Sequence, residues 1–110
     1  MIGDLQGDWA REVADAIRAA GGRAIDVDLD GTSATSQAAI VAAAIETFGG
    51  LDFYHSNLAG GTEGDNGALD CSIEVLDKSF AINTKSHFLA TQAALPEMIA
   101  RGGGGAQLRD

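Results

Sequence analysis

A few residues of this chain are of types that do chemistry, and each also has an ordinary use. Asp4 stands where a short apolar stretch, Met1 to Leu5, gives way to polar residues, and Asp30 closes the run Ile25 to Leu29. A carboxylate at the end of a strand can accept hydrogen bonds from the hydroxyls of a nucleotide ribose. It can also do no more than face the positive end of a nearby helix. Asp30-Gly31 is besides a common turn pair. Asn83 lies inside a helical pattern, where an amide is a mediocre helix former. Such a residue is either a functional group or a kink built on a satisfied amide. His55, His87 and Cys71 share no metal-ligand spacing, and a Cys–His nucleophile pair has no support in the sequence. They read as a half-buried strand residue, a helix-surface residue and a small residue near a helix start. The run Gly102 to Gly105 is no phosphate loop, since no strand precedes it and no Lys-Ser/Thr follows.

The elements that must position these residues follow from periodicity. Met1 to Leu5 reads as a strand. Asp8 is a candidate N-cap for the helix after it. In that helix Trp9, Val13, Ala16, Ile17 and Ala20 recur at helical spacing, and Gly21-Gly22 ends it. Ile25, Val27 and Leu29 alternate with Asp26, Asp28 and Asp30, a strand with one wet face and an edge character. After the turn Gly31-Thr32-Ser33 comes a helix with Ile40, Val41, Ala44, Ile45 and Phe48 inside. Leu51 to Ser56 is a short strand, and Gly60 to Gly67 a loop rich in Gly and acids. A helix from about Ser72 runs to about Arg101, and the final AQLRD shows no clear structure. Strands alternating with helices predict an α/β fold with a parallel sheet. Right-handed crossovers then bring the strand ends to one side, where ligands bind.

Composition narrows the classes of function. The 110 residues are 45% hydrophobic and 21% charged, which is globular and fits one small domain. The net charge of −9 argues against nucleic-acid binding, which needs Lys and Arg on one face. No run approaches the ~20 apolar residues of a bilayer span. No basic amphipathic face suggests a membrane surface. Met1-Ile2 leads straight to Asp4 and Asp8 with no signal-peptide pattern. A single Cys71 makes no internal disulfide and suits a reducing cytoplasm.

The stretch Ile82 to Met98, INTKSHFLATQAALPEM, carries an Asn followed by Thr-Gln-Ala-Ala-Leu-Pro-x-Met. It resembles the short-chain dehydrogenase/reductase family, in which the run vNlkGxfLxtqaaLPxM forms the long helix that holds one catalytic Asn. Asp30 and the segment Phe48-Gly49-Gly50-Leu51-Asp52 resemble the family's DVtd…fGxlD, with Gly31 in place of Val. Asn57-Leu58-Ala59-Gly60 resembles its NNAG turn. Counted without a gap from Asp52, that motif falls on Ser56 to Ala59, so Leu58 stands for Ala and Ala59 for Gly. The resemblance implies a partial Rossmann-like doubly wound parallel sheet, truncated at both ends. It also implies hydride transfer between a nicotinamide cofactor and an alcohol or carbonyl substrate. Asp4 and Leu5 would sit at the adenosine ribose, Asp30 at the adenine amino group, and Asn57, Ala59 and Gly60 beneath the ribose. Asn83 would be the catalytic Asn that supports a water-linked proton relay. An acid at position 4 repels a 2′-phosphate, so NAD is expected rather than NADP.

The departures from the pattern matter as much. The family's TGxxxGxG loop, catalytic Ser and YxxxK pair have no counterpart in the sequence, and the single Tyr54 is followed four residues later by Leu58. Asn83 is the one member of the Asn-Ser-Tyr-Lys set present, and the isolated chain is expected to be inactive. In the family the first strand lies between the second and the fourth. Here either Met1–Leu5 pairs directly with Leu51–Ser56, or two small pieces remain with exposed edges. The long helix is expected to be interrupted or bent near Asn83 or Pro96, with Phe88 and Leu95 largely buried. In the family this helix commonly packs against its twin, so the resemblance implies a homo-oligomer for the parent enzyme. A non-catalytic module that dimerises through helix 72–101 is the alternative reading.

Overall fold

The computed structural model describes residues 1–61, 63–102 and 106–109. Three βα units run along the chain. β1 (Ile2–Asp4) leads into α1 (Gly7–Ala19), β2 (Asp26–Asp28) into α2 (Ala34–Phe48), and β3 (Phe53–Ser56) into a long helical segment. That segment comprises α3 (Ile73–Phe80), a π-helical turn (Ala81–Lys85) and α4 (Ser86–Ala100). β4 (Ala106–Arg109) then pairs in parallel with β3, with Phe53 opposite Ala106 and Ser56 opposite Arg109. The expectation of no structure in AQLRD is thereby corrected for residues 106–109. Gly103 to Gly105, most of the expected glycine terminator, lie outside the described residues.

The helix starts obey local chemistry. Ser33 caps α2 by accepting from the Ser36 amide, and Ser72 caps α3 by accepting from the Val75 amide. α1 begins after Gln6, which makes no side-chain cap, so Asp8 is a first-turn residue and not the N-cap. Its carboxylate there still complements the helix dipole. The core lies between α2 and α4, with Leu29, Ile40, Val41, Ala94 and Met98 buried together. α4 turns Ser86, His87, Ala90, Ala94 and Met98 inward. Small residues let the helices approach closely, and this reverses the expected face. Phe88 is 62% exposed and Leu95 43% exposed, so neither is largely buried. The same inversion occurs in α1. Its buried residues are Ala10 and Ala14, while Trp9 and Val13 lie exposed.

The sheet is divided. β1 pairs only with β2 and β3 only with β4 among the described residues, both in parallel. Of the two expected arrangements, the one with separate pieces is found. The gap between them is a cavity of about 350 Å³ lined by Met1 and Gly3 from one side and Phe53, Tyr54 and His55 from the other. Ile40, Val41, Ala44 and Phe48 of α2 close it off. α2 therefore spans both half-sheets from one face. The radius of gyration is 15.6 Å, against ~13 Å for a compact chain of a hundred residues.

In a parallel ladder alternate residues direct both backbone groups to the same neighbour. The Ile2 amide donates to the Ile25 carbonyl and the Asp4 carbonyl accepts from the Leu29 amide, both at 2.9 Å. Gly3, between them, directs its N–H away from β2 towards the gap. The Gly3 amide is expected to exchange with solvent deuterium at least tenfold faster than the Leu29 amide. NMR-detected exchange checks this, and equal protection would mean that the β1 edge is covered in solution.

Candidate cofactor cleft

Three strands deliver polar groups to one place. Asp4 is the last residue of β1, Asp30 lies two residues past the end of β2, and Asn57 directly follows β3. All three line a cleft of about 490 Å³, together with Leu5, Ala59 and Gly60. The cleft opens at the carboxyl ends of the strands, where the crossover geometry of an α/β fold leaves room for a ligand. Every residue expected at the adenosine half is thus brought to a single cavity. Asn83 stands behind it and acts on its wall rather than lining it.

Each carboxylate is partly used and partly available. Asp4 Oδ1 accepts from the Gln6 amide at 2.8 Å. Asp30 Oδ1 accepts from the Thr32 amide at 3.0 Å and from the Thr32 hydroxyl at 2.7 Å. These bonds from Thr32, the hydroxyl first and the amide second, pull the Asp30 carboxyl below its ordinary range. It therefore stays an ionised acceptor at neutral pH. One oxygen of each acid makes no hydrogen bond to the described residues, and both acids line the cleft. The lone cation among the described lining residues is Lys78, against Asp4, Asp30 and Glu63. Neither Lys78 nor Glu63 is singled out by the sequence: Glu63 lies in the loop after β3, and periodicity does not say which face of α3 carries Lys78 to the cleft.

Asn83 fixes the wall of the cleft. Its Nδ2 donates to the Gly60 carbonyl at 2.7 Å and to the Ser79 carbonyl at 3.0 Å, and its Oδ1 accepts from the Gly60 amide at 3.2 Å. Both backbone groups of Gly60 are thus held by one side chain. The π turn of Ala81–Lys85 offers Asn83 at this spot, and such turns recur at functional sites. The helix is interrupted near Asn83, as expected, while Pro96 remains inside α4.

Two buried polar contacts escaped the sequence reading. His87 is 5% exposed rather than on the helix surface, and its Nδ1 lies 2.6 Å from the Ser56 hydroxyl, itself buried. His55, expected half-buried, is exposed. The Tyr54 hydroxyl donates to Gln37 Oε1 at 2.7 Å, and Gln37 Nε2 donates to the Gly31 carbonyl at 3.1 Å. Burial raises the Tyr54 phenol above its ordinary value, so it stays a neutral donor. Strand polarity was the available signal: Tyr54 and Ser56 share a face of β3 and point towards the helices.

Comparisons with known proteins bear on the family and the fold. The family model for short chain dehydrogenase matches residues 1–106. The chain belongs to the short-chain dehydrogenase family. A 2,5-dichloro-2,5-cyclohexadiene-1,4-diol dehydrogenase of Sphingobium indicum is 43% identical over 104 residues, which cover 94% of this chain and 41% of that protein. The solved 7α-hydroxysteroid dehydrogenase complexed with NADH and 7-oxo glycochenodeoxycholic acid superposes with a TM-score of 0.88 at 30% identity. That match covers 98% of this chain and 41% of the other. A 3-ketoacyl-ACP reductase of Sinorhizobium meliloti gives a TM-score of 0.90 at 28% identity, again over 41% of its chain. The chain therefore spans about 41% of the length of these relatives. Its α/β architecture is that of the Rossmann-fold members of the family.

Gly31 and Leu58 share one space inside the cleft. A Cβ added at Gly31 would run into Leu58 Cδ1, so Leu58 occupies the space that a larger side chain at position 31 would need. We expect Gly31→Val alone to destabilise the fold by ~1–3 kcal/mol through overpacking. In a Leu58→Ala background the same substitution should cost far less. Urea denaturation of the four variants measures the coupling, and additive effects would mean that the two residues do not share this space.

Proposed function

We propose that this chain provides the adenosine-binding part of an NAD-dependent oxidoreductase acting on an alcohol or carbonyl carbon. The observation that carries the reading is the convergence of Asp4, Asp30 and the Asn57–Gly60 turn on one cleft. The residues fit the cofactor. An adenosine presents hydroxyl and amino donors, and the cleft presents two carboxyl groups, Asp4 and Asp30, each with one oxygen to spare among the described residues. Asp4 would hold the ribose diol with Leu5 beside it, Asp30 the adenine amino group, and Asn57, Ala59 and Gly60 the underside of the ribose. A 2′-phosphate would meet the Asp4 carboxylate, which favours NAD over NADP. When bound, the nicotinamide supplies the hydride acceptor or donor of the family's reaction.

Within that reading Asn83 supports the proton relay from the π turn, and its clasp on Gly60 keeps the turn beneath the ribose. The acid–base step needs a donor at the reacting oxygen, worth ~10²–10⁴ in rate. No YxxxK pair supplies one in this sequence. The 110 residues alone are therefore expected to leave NADH absorbance unchanged with panels of alcohols and ketones. A cytoplasmic setting fits the free Cys71. No helix among the described residues is long and apolar enough to cross a membrane.

A second reading rests on a different surface. Ile73, Leu76, Phe80, Phe88, Leu95 and Ile99 form an exposed apolar series along α3 and α4. Such a face suits a second copy of the same helices. Equilibrium sedimentation of the chain and of Phe88→Asp separates it from the first reading.

Isothermal titration tests the main proposal. NAD should bind more tightly than NADP, and Asp4→Ser should reduce that preference by about tenfold, about what one lost charge repulsion of ~1–1.5 kcal/mol provides near a protein surface. The absence of heat with NAD at millimolar concentrations, from a chain that is folded by circular dichroism, would overturn the cofactor reading.

A further inference from the structure

Trp9 is the one tryptophan of the chain, and the fold does not use it as core. α1 packs through Ala10 and Ala14, and Trp9 stays 58% exposed in its first turn. Its indole N–H makes no hydrogen bond to any described residue. Trp9 nevertheless lines the cleft, beside Leu5 and Leu29 and together with Asp30 and Thr32. The cleft therefore combines an aromatic plate, aliphatic flanks and an ionised acceptor. A flat heteroaromatic ring with an amino group on its edge matches that combination. An indole presents a large, stiff face at low entropic cost, and ring stacking adds to the area it buries.

We propose that Trp9 is the platform on which the purine base of the ligand packs, while Asp30 accepts from the base's amino group. The proposal rests on the cofactor reading above and deepens it by naming a residue that sets base preference. No motif of the sequence pointed to it, because Trp9 reads there as one more apolar position of an amphipathic helix. The competing occupant is a protein surface, since Leu5 and Val13 are exposed nearby.

Because the chain holds a single tryptophan, its fluorescence reports on this residue alone. The intact chain is titrated with adenosine 5′-monophosphate, nicotinamide mononucleotide and NAD, and the same ligands are followed by calorimetry. Adenosine 5′-monophosphate and NAD should quench the emission saturably, and nicotinamide mononucleotide should not. Trp9→Ala should weaken both adenine ligands by about tenfold in calorimetry, the scale of one lost base–aromatic stack. Trp9→Phe should recover most of that loss, which a merely structural role would not predict for a residue so exposed. Circular dichroism of Trp9→Ala should match the parent. If NAD binds the parent and Trp9→Ala equally, with no change in emission, the platform is wrong and the cofactor cleft stands. If neither adenine ligand binds the parent, both fail. A quench with nicotinamide mononucleotide alone overturns the assignment of the base end. A concentration-dependent blue shift without ligand would assign Trp9 to a contact between chains, and that too overturns it.

Discussion

One side chain decides where the polypeptide goes after β3. Asn83 bonds both the amide and the carbonyl of Gly60, and it bonds its own helix at Ser79. A loop has no ladder to satisfy its backbone, and each part-buried group left unpaired costs ~1–3 kcal/mol. The amide answers two such groups at once, as a strand neighbour would. The price is a break in helical regularity, a π turn at Ala81–Lys85. Without that turn Asn83 would follow the helical phase elsewhere, and the Asn57–Gly60 segment would lose its anchor. The cleft wall, and with it the spacing between the loop and the two aspartates, depends on this contact.

The second organising element is α2. It lies under both half-sheets and packs its other side on α4, with Ile40, Val41 and Ala44 buried. Two half-sheets of two strands each have little stability alone. Their common backing by α2 lets β1, β2 and β3 present their ends to one cleft although β1 and β3 do not touch. The match to the Sphingobium dehydrogenase takes in 94% of this chain and 41% of that protein. The resemblance thus falls on a contiguous unit, and the cleft forms within it.

Periodicity makes the order of elements legible, and it places the carboxylates at strand ends from sequence alone. It cannot say which face of a helix meets a neighbour. In α4 both faces carry apolar residues, one made of Ala and Met, the other of Phe and Leu. Size alone suggested that the larger residues go inside. Close packing of α2 on α4 favours the small face instead, and Phe88 and Leu95 stay out. α1 repeats the case with Ala10 and Ala14 against Trp9. The strand over residues 106–109 was illegible for another reason. Residues 106–109 have weak strand character by themselves, and the strand they form is paired with β3. A long-range partner of that kind leaves no mark on a local window.

The buried polar pairs share this property of leaving no mark on a local window. Tyr54 reaches Gln37, Gln37 reaches the Gly31 carbonyl, and Ser56 meets His87. Each bond joins different elements: β3 to α2, α2 to the turn at Gly31, and β3 to α4. Taken singly, a buried Gln or His would be a liability, because an unpaired polar group inside a protein is expensive. Taken as pairs they are satisfied, and they specify one registration of strand on helix where plain apolar contacts would allow several. Gly31 and Leu58 do the same with volume instead of charge. The three hydrogen bonds and the fit of Leu58 over Gly31 are thus matched sets, each joining residues of different segments of the chain. The matched sets lie between the strand ends and the helices, the region that must hold still for the cleft to keep its shape.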